Sequence, residues 1–289
     1  MKAANPGFAS IVSPYAEAGP VDVMMRPALE KLYDHYNRFE HIHPDPLEFV
    51  YHYDKKPDRE LSAFIASALA YGRVRQILES VRWVLDTMGP SPSGFLLENR
   101  PADIRRTFQS FKHRFTTGEV LSDLLVALRA LIREYGSLES CFLAGFSKKD
   151  PNILPALAGL VKKLERACGR TMQMFLPSPD GGSACKRLNL FLRWMVRSDN
   201  VDPGTWQGIP SSHLIVPLDT HMHRMAAAMG LTCRKQADIR CAIEITNAFS
   251  SMRPDDPVRY DFALTRLGIK PETSPAKLFA SLLSIGGKV

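Results

Sequence analysis

The chain has 289 residues, with 37 Lys plus Arg against 30 Asp plus Glu and 45% hydrophobic residues, which excludes wholesale disorder and suits one or two compact domains with a sizeable core. No apolar run approaches the ~20 residues that cross a bilayer, and the first ten residues hold no apolar core of a secretory signal, so no membrane partner and a cytoplasmic location are expected. The net charge of +7 favours polyanionic partners without requiring them.

From the N-terminus, residues 1–20 contain Pro6, Gly7, Pro14, Gly19 and Pro20 and read as a loose arm. Beyond it, apolar residues recur at the three- and four-residue spacing of amphipathic helices. Leu61, Phe64, Ile65, Ala68 and Leu69 form one stripe, and Leu121, Leu124, Leu125, Leu128, Leu131 and Ile132 a second. Leu188, Phe191, Leu192 and Met195 form a third, and Met222, Met225, Ala226 and Met229 a fourth. Pro and Gly clusters divide the chain into short helices, and no long run of alternating β-branched residues interrupts them. The expected class is all-α.

Charge is concentrated in two segments. Asn99 to Gly118 carries Arg100, Arg105, Arg106, Lys112 and Arg114 against Asp103, a surplus of four, and Gly181 to Arg240 carries eight Lys or Arg against four Asp. Brought together, they would form a basic surface able to displace counterions from a phosphate backbone; apart, they are solvated helix faces. Cys141, Cys168, Cys185, Cys233 and Cys241 include no CxxC pair, which argues against a disulfide framework or a four-Cys metal site and leaves free thiols.

Two short stretches carry chemistry. Gly182-Ser183-Ala184-Cys185-Lys186-Arg187-Leu188 puts small residues and a lysine at a helix entrance, where free backbone N–H groups suit a phosphate oxygen and disfavour an ammonium. Lys186 in its neutral form is a nucleophile able to make a Schiff base at a sugar C1′; its blander role is a solvated cation or a phosphate contact. In Val216-Pro217-Leu218-Asp219-Thr220-His221-Met222-His223-Arg224, Asp219 sits where a helix N-cap belongs and Gly230 where the C-terminal left-handed residue belongs. A capping carboxylate is held ionised by the N–H groups it accepts, so the cap can also stabilise positive charge on a ligand.

Leu-Asp-Thr-His-Met-His-Arg, followed by Met-Gly-Leu at 229–231, resembles the Val-Asp-Thr-His-x-x-Arg segment of the helix-hairpin-helix DNA glycosylase superfamily, to which endonuclease III and the adenine glycosylases belong. Gly-x-Ala-x-Lys with Phe-Leu-Arg after it is similar to the lysine hairpin of the 8-oxoguanine glycosylases. Residues 60–69 and 261–268 are similar to the first and closing helices of that family's barrel, and the chain is most like a bacterial branch of it with Lys-Arg-Leu-Asn-Leu-Phe-Leu-Arg-Trp-Met-Val-Arg and Pro-Leu-Asp-Thr-His.

The resemblance implies Lys186 as Schiff-base nucleophile and Asp219 as the essential carboxylate. It implies DNA contacts from Gly182 and Ala184 of the hairpin, from Arg193 on the helix after it, and from Thr220, His221 and Arg224. It also implies two helical lobes with a cleft between them, here residues 21–60 with 195–289, bearing Asp219, and residues 61–194, a barrel lobe ending in the lysine hairpin. The expected function is excision of a damaged base from DNA, with nicking at the abasic site; the partner is duplex DNA with an extruded base, or else RNA, near the nucleoid if the source is bacterial.

The sequence departs from that family in three places. Lys186 and Asp219 are 33 residues apart, a spacing similar to the archaeal GO glycosylases, with the insert Ser198 to Val216 between them. Ala184 replaces a hairpin glycine, which alters the backbone phosphate clamp. The cysteine motif for an iron–sulfur cluster is absent, so no cofactor is implied.

Tyr71, Arg73 and Gln76 follow the presumed first barrel helix, where related enzymes face the cleft or fill the gap left by an extruded base; the plain alternative is a Tyr packed at a helix end with two solvated cations. Trp194 adjoins an apolar stripe and reads as core. Trp206, in the polar insert, reads as the better surface for stacking a base and as an anchor of the insert beside the cleft. A binding module without chemistry would read nucleic acid through Arg193, Arg197 and Arg224. A metal-dependent hydrolase built on His221 and His223 beside Asp219, with His41, His43 and Asp45 elsewhere, fits less well, because helical residues two apart point about 200° apart.

Overall fold

The computed structural model describes residues 20–268. The arm expected over residues 1–20 lies outside them but for Pro20, as do residues 269–289. The described chain is all-α apart from one small hairpin. Its helices are α1 (Pro20–Tyr36), α2 (Lys56–Ala68), α3 (Val74–Met88), α4 (Pro92–Glu98), α5 (Pro101–Phe108), α6 (Gly118–Tyr135) and α7 (Leu138–Leu143). They continue as α8 (Leu154–Cys168), α9 (Lys186–Val196), α10 (Thr220–Ala228), α11 (Ile239–Met252) and α12 (Asp261–Gly268). Strands β1 (Lys112–His113) and β2 (Thr116–Thr117) pair antiparallel, His113 opposite Thr116. Among the described residues no helix is long and apolar enough to cross a membrane.

The four apolar stripes lie on α2, α6, α9 and α10, with Leu69 and Met229 capping the ends of α2 and α10, and all their residues but Ile132 are buried. Local chemistry sets the ends of these helices. The Thr117 side chain accepts the Val120 N–H at the start of α6, and Gly136, at φ 84°, turns the chain out of its other end. Helices α2 to α8 pack as one group, in which α6 meets α5, α7 and α8, and α2 meets α3 and α4. In a second group, α1 packs on α11 and α12, and α10 on α12. Helix α9 lies against α2, and the 3-10 segment Pro46–His52 packs on α2 and α3.

The insert Ser198–Val216 is part of this core. Trp206 is 3% exposed, with its ring against Phe142 and Phe191. Its Nε1 donates to Glu60 Oε1 at 2.7 Å, while the Leu138 and Glu139 N–H groups donate to the same carboxylate at 3.0 and 3.1 Å. Burial pushes the Glu60 carboxyl above its ordinary range, against the pull of those hydrogen bonds. Trp206 is therefore not available for base stacking, contrary to the reading from its polar neighbours. A partner 146 positions away in sequence satisfies its indole N–H and permits burial.

Arg197 is corrected in the same way, and Arg193 in part, since it is held in a buried cluster yet also lines the cleft between the helix groups. Arg193 and Arg197 are 3% and 4% exposed, so neither reads a ligand from a free surface. Arg193 donates to Asp202 and Asp261, and Arg197 to Asp202, Asp199 and Asp256. Tyr33 joins the cluster through its hydroxyl, which donates to Asp199 at 2.9 Å. Buried charge persists only when paired and hydrogen-bonded, and this cluster meets that condition with carboxylates from the insert, α12 and the loop before α12.

Candidate functional site

Between the two groups of helices lies a cleft of about 650 Å³. One wall is Ala70, Tyr71, Gly72, Val74 and Ile77; the other includes Leu218, Asp219, Thr220, His221, Asp261 and Phe262; Lys186 and Arg187 stand between them.

Lys186 is placed there by an unusual backbone. Gly182 has φ 80° and Cys185 has φ 50°, a left-handed conformation that a non-glycine residue adopts only at a cost of about 1–3 kcal/mol. The turn is tied down on three sides. The Ile239 N–H donates to Gly182 O at 3.1 Å, Asn189 Nδ2 donates to Ala184 O at 2.9 Å, and the Cys185 thiol contacts Pro177 O at 3.1 Å. Burial pushes that thiol up to about 12, so Cys185 is a neutral packing group. Ala184 is buried and is not a left-handed residue, so that turn falls on Gly182 and Cys185. A single 3-10 turn, Pro179–Gly181, precedes the hairpin.

Asp219 arrives from the other group as the N-cap of α10. Its Oδ1 accepts the N–H groups of His221 and Met222, both at 2.9 Å, leaving Oδ2 facing Lys186 Nζ at 3.9 Å. The side chains are 29% and 43% exposed, and Nζ also lies 3.5 Å from Ala70 O. A lysine at one helix entrance and a carboxylate at another, 33 positions apart in sequence, thus meet in the lining of the cleft.

The other predicted residues divide. Tyr71 and His221 line the cleft half-buried, and Thr220 lines it exposed. The His221 Nε2 is shielded from solvent and has no hydrogen-bond partner among the described residues. His223 turns away, its Nε2 2.8 Å from Arg234 O, so the two histidines do not share a ligand position. Tyr71 fits both of its readings. Its ring lines the cleft, and its hydroxyl donates to His113 O at 2.8 Å while lying 2.7 Å from Thr116 Oγ1. Gly182, Arg73, Gln76 and Arg224 are exposed and outside the cleft lining.

Three of the five basic residues of the first segment meet carboxylates without cancelling its surplus: Arg105 pairs with Asp123, which also pairs with Arg170, and Arg100 and Arg106 share Asp103. Lys112 and Arg114 meet no carboxylate among the described residues, and the Arg114 side chain packs over Gly72 at the cleft rim.

Four further charged residues of the cleft were not among the site residues expected from the sequence. Arg187 lies over the rings of Tyr71 and Phe175, 4.9 and 5.2 Å from their centroids. Arg266 donates to Asp45 Oδ2 at 2.6 Å and to Ile42 O at 3.2 Å, closing the floor from α12. Asp261 is 4% exposed; burial pushes its carboxyl above the usual carboxylate range, with Arg193 opposing. Asp261 and Arg266 fall in the segment similar to a closing barrel helix, which was the one signal pointing to them. Arg187 stood only as part of the quoted lysine motif, and Asp45 only beside His41 and His43 in the metal-hydrolase reading.

No curated protein and no solved structure matches the chain. A family model described as Protein of unknown function (DUF2400) matches residues 45–270, a stretch that holds all the cleft residues named here, from Asp45 to Arg266. The chain belongs to that family.

Proposed function

We propose that the protein is a DNA glycosylase with abasic-site lyase activity, taking a damaged base into the cleft. The observation that carries this reading is the approach of Lys186 Nζ to Asp219 Oδ2, 3.9 Å, at the edge of a cleft large enough for an extruded nucleotide. Asp219 keeps one oxygen on its two cap hydrogen bonds and offers the other to positive charge, whether on Lys186 or on an oxocarbenium-like sugar.

In the reaction, the neutral Lys186 amine attacks C1′ as the glycosidic bond breaks and the base departs with a proton. Loss of the amine proton and opening of the sugar ring leave an imine at C1′. Removal of a proton from C2′ then expels the 3′ phosphate, and water releases the unsaturated sugar from Lys186. Asp219 is placed to accept the ammonium proton before attack. A DNA partner and a cytoplasmic location belong to this reading.

The test is borohydride trapping on an abasic duplex. The native protein should form a covalent complex and Lys186→Ala none. Undiminished trapping in the variant would move the nucleophile elsewhere, and no trapping by the native protein would remove the lyase.

A further inference from the structure

We infer that Arg187 is a ligand for a backbone phosphodiester of the strand whose nucleotide enters the cleft, an assignment that rests on the proposed glycosylase reading. Arg187 follows Lys186 in the first turn of α9 and lines both the cleft and an adjoining recess of about 170 Å³ formed with Leu176, Pro177, Ser183 and Leu188. A guanidinium carries five N–H donors in a planar fork. One of its nitrogens, Nη1, donates to Ala68 O at 3.0 Å, and no carboxylate lies within ion-pair reach among the described residues.

The contrast with its helix neighbours is what points to a ligand. Arg193 and Arg197 each hold at least two carboxylates, whereas Arg187 has two aromatic rings and one carbonyl. Burial lowers the affinity of Arg187 for its proton, the sign of a cation deprived of water without a compensating anion. Aromatic faces stabilise such a cation in part and hold it in one orientation. The remaining donors are suited to two oxygens of one anion, the bidentate geometry in which Arg recognises phosphate. Lys186 beside it adds a second positive charge, so the entrance of α9 carries two cations against Asp219.

The probe is a duplex with a tetrahydrofuran abasic analogue, prepared either with natural linkages or with a single uncharged methylphosphonate at each flanking position in turn. For the native protein, one flanking methylphosphonate should weaken binding about tenfold to a hundredfold, the range for a charge-assisted contact. Arg187→Met should bind the natural duplex with a similar loss and show no further penalty at that linkage. Its slope of log affinity against log salt should be shallower by about 0.9. Arg187→Lys keeps the charge and most of the packing, so it decides the matter should the Met variant not fold: it should retain the salt slope yet bind about tenfold more weakly.

A full methylphosphonate penalty in Arg187→Met, or native binding by Arg187→Lys, would overturn the assignment while trapping through Lys186 still stood. A native protein that neither traps nor prefers the abasic duplex would overturn both.

Discussion

Helix α9 and its immediate C-terminus carry two sets of opposite charges, built in opposite ways. At its entrance, Lys186 and Asp219 are partly exposed, 3.9 Å apart and free to engage another group. Further along, Arg193 and Arg197 are almost wholly buried and bound to carboxylates of Asp199, Asp202, Asp256 and Asp261, although Arg193 and Asp261 also border the cleft. The same residue types thus hold the helix in place at one end and face a cleft at the other. A buried ion must be fully paired, whereas a reactive one must keep a donor or acceptor open. Residue type alone does not distinguish these roles; the number and distance of partners do.

The largest expected effect falls on the sealed end. Asp202 is 0% exposed and shared by Arg193 and Arg197, so Asp202→Ala leaves two buried guanidinium groups short of an anion. A loss of about 3–5 kcal/mol is expected in a denaturant titration, the range for breaking a buried pair from one side. A loss below about 1 kcal/mol would mean that the cluster relaxes or hydrates and is not what anchors α9.

The insert gives the next largest effect. Trp206→Phe keeps most of the ring packing but removes a donor from the buried Glu60 carboxylate. The expected cost is about 1–3 kcal/mol, with single-turnover base excision per folded molecule unchanged. A selective rate loss would break the contrast by making the insert part of the site.

These outcomes bear on what was legible in the sequence. The helices were, because each apolar stripe is local and needs no knowledge of its partner. The Asp219 cap was legible for the same reason, its hydrogen bonds reaching only two and three residues along the chain. Lys186 and Asp219 were found through a motif resemblance, since nothing local says that the two approach. Burial of Arg193, Arg197 and Trp206 was not legible. It depends on Asp256, Asp261 and Glu60, which lie 59, 68 and 146 positions away from them. The hairpin from Lys112 to Thr117 was also missed, because two-residue strands are too short to show alternation.

A smaller effect is expected in acid. Glu30 on α1 accepts from Arg253 Nε and Tyr260 Oη, both at 2.7 Å, and from Arg259 Nε at 3.2 Å, linking α1 to the C-terminal end of α11 and to the loop before α12. Burial pushes its carboxyl up, but these partners outweigh burial and hold it below its ordinary value of 4.5. A depressed carboxylate contributes its stability above the unfolded value and loses it as pH falls through the folded one. Stability should therefore decline below pH 4.5, and Glu30→Gln should flatten that part of the acid limb. An unchanged limb would assign acid sensitivity to other carboxylates.

The smallest effect on stability is the one that separates the two ends of the helix most sharply. In Asp219→Asn the side-chain oxygen still accepts the His221 and Met222 N–H groups, and Asn caps a helix about as well as Asp. What is lost is a charge 43% exposed to water and 3.9 Å from Lys186, an interaction of at most about 1 kcal/mol in that setting. Melting should stay close to native, while base excision should fall by two to four powers of ten, about the contribution of a positioned acid–base group. A large drop in melting temperature would make Asp219 a structural group like Asp202, and unchanged excision would leave it as a cap alone. Near-native folding with lost chemistry would show that the entrance of α9 serves the reaction while its far end holds the fold.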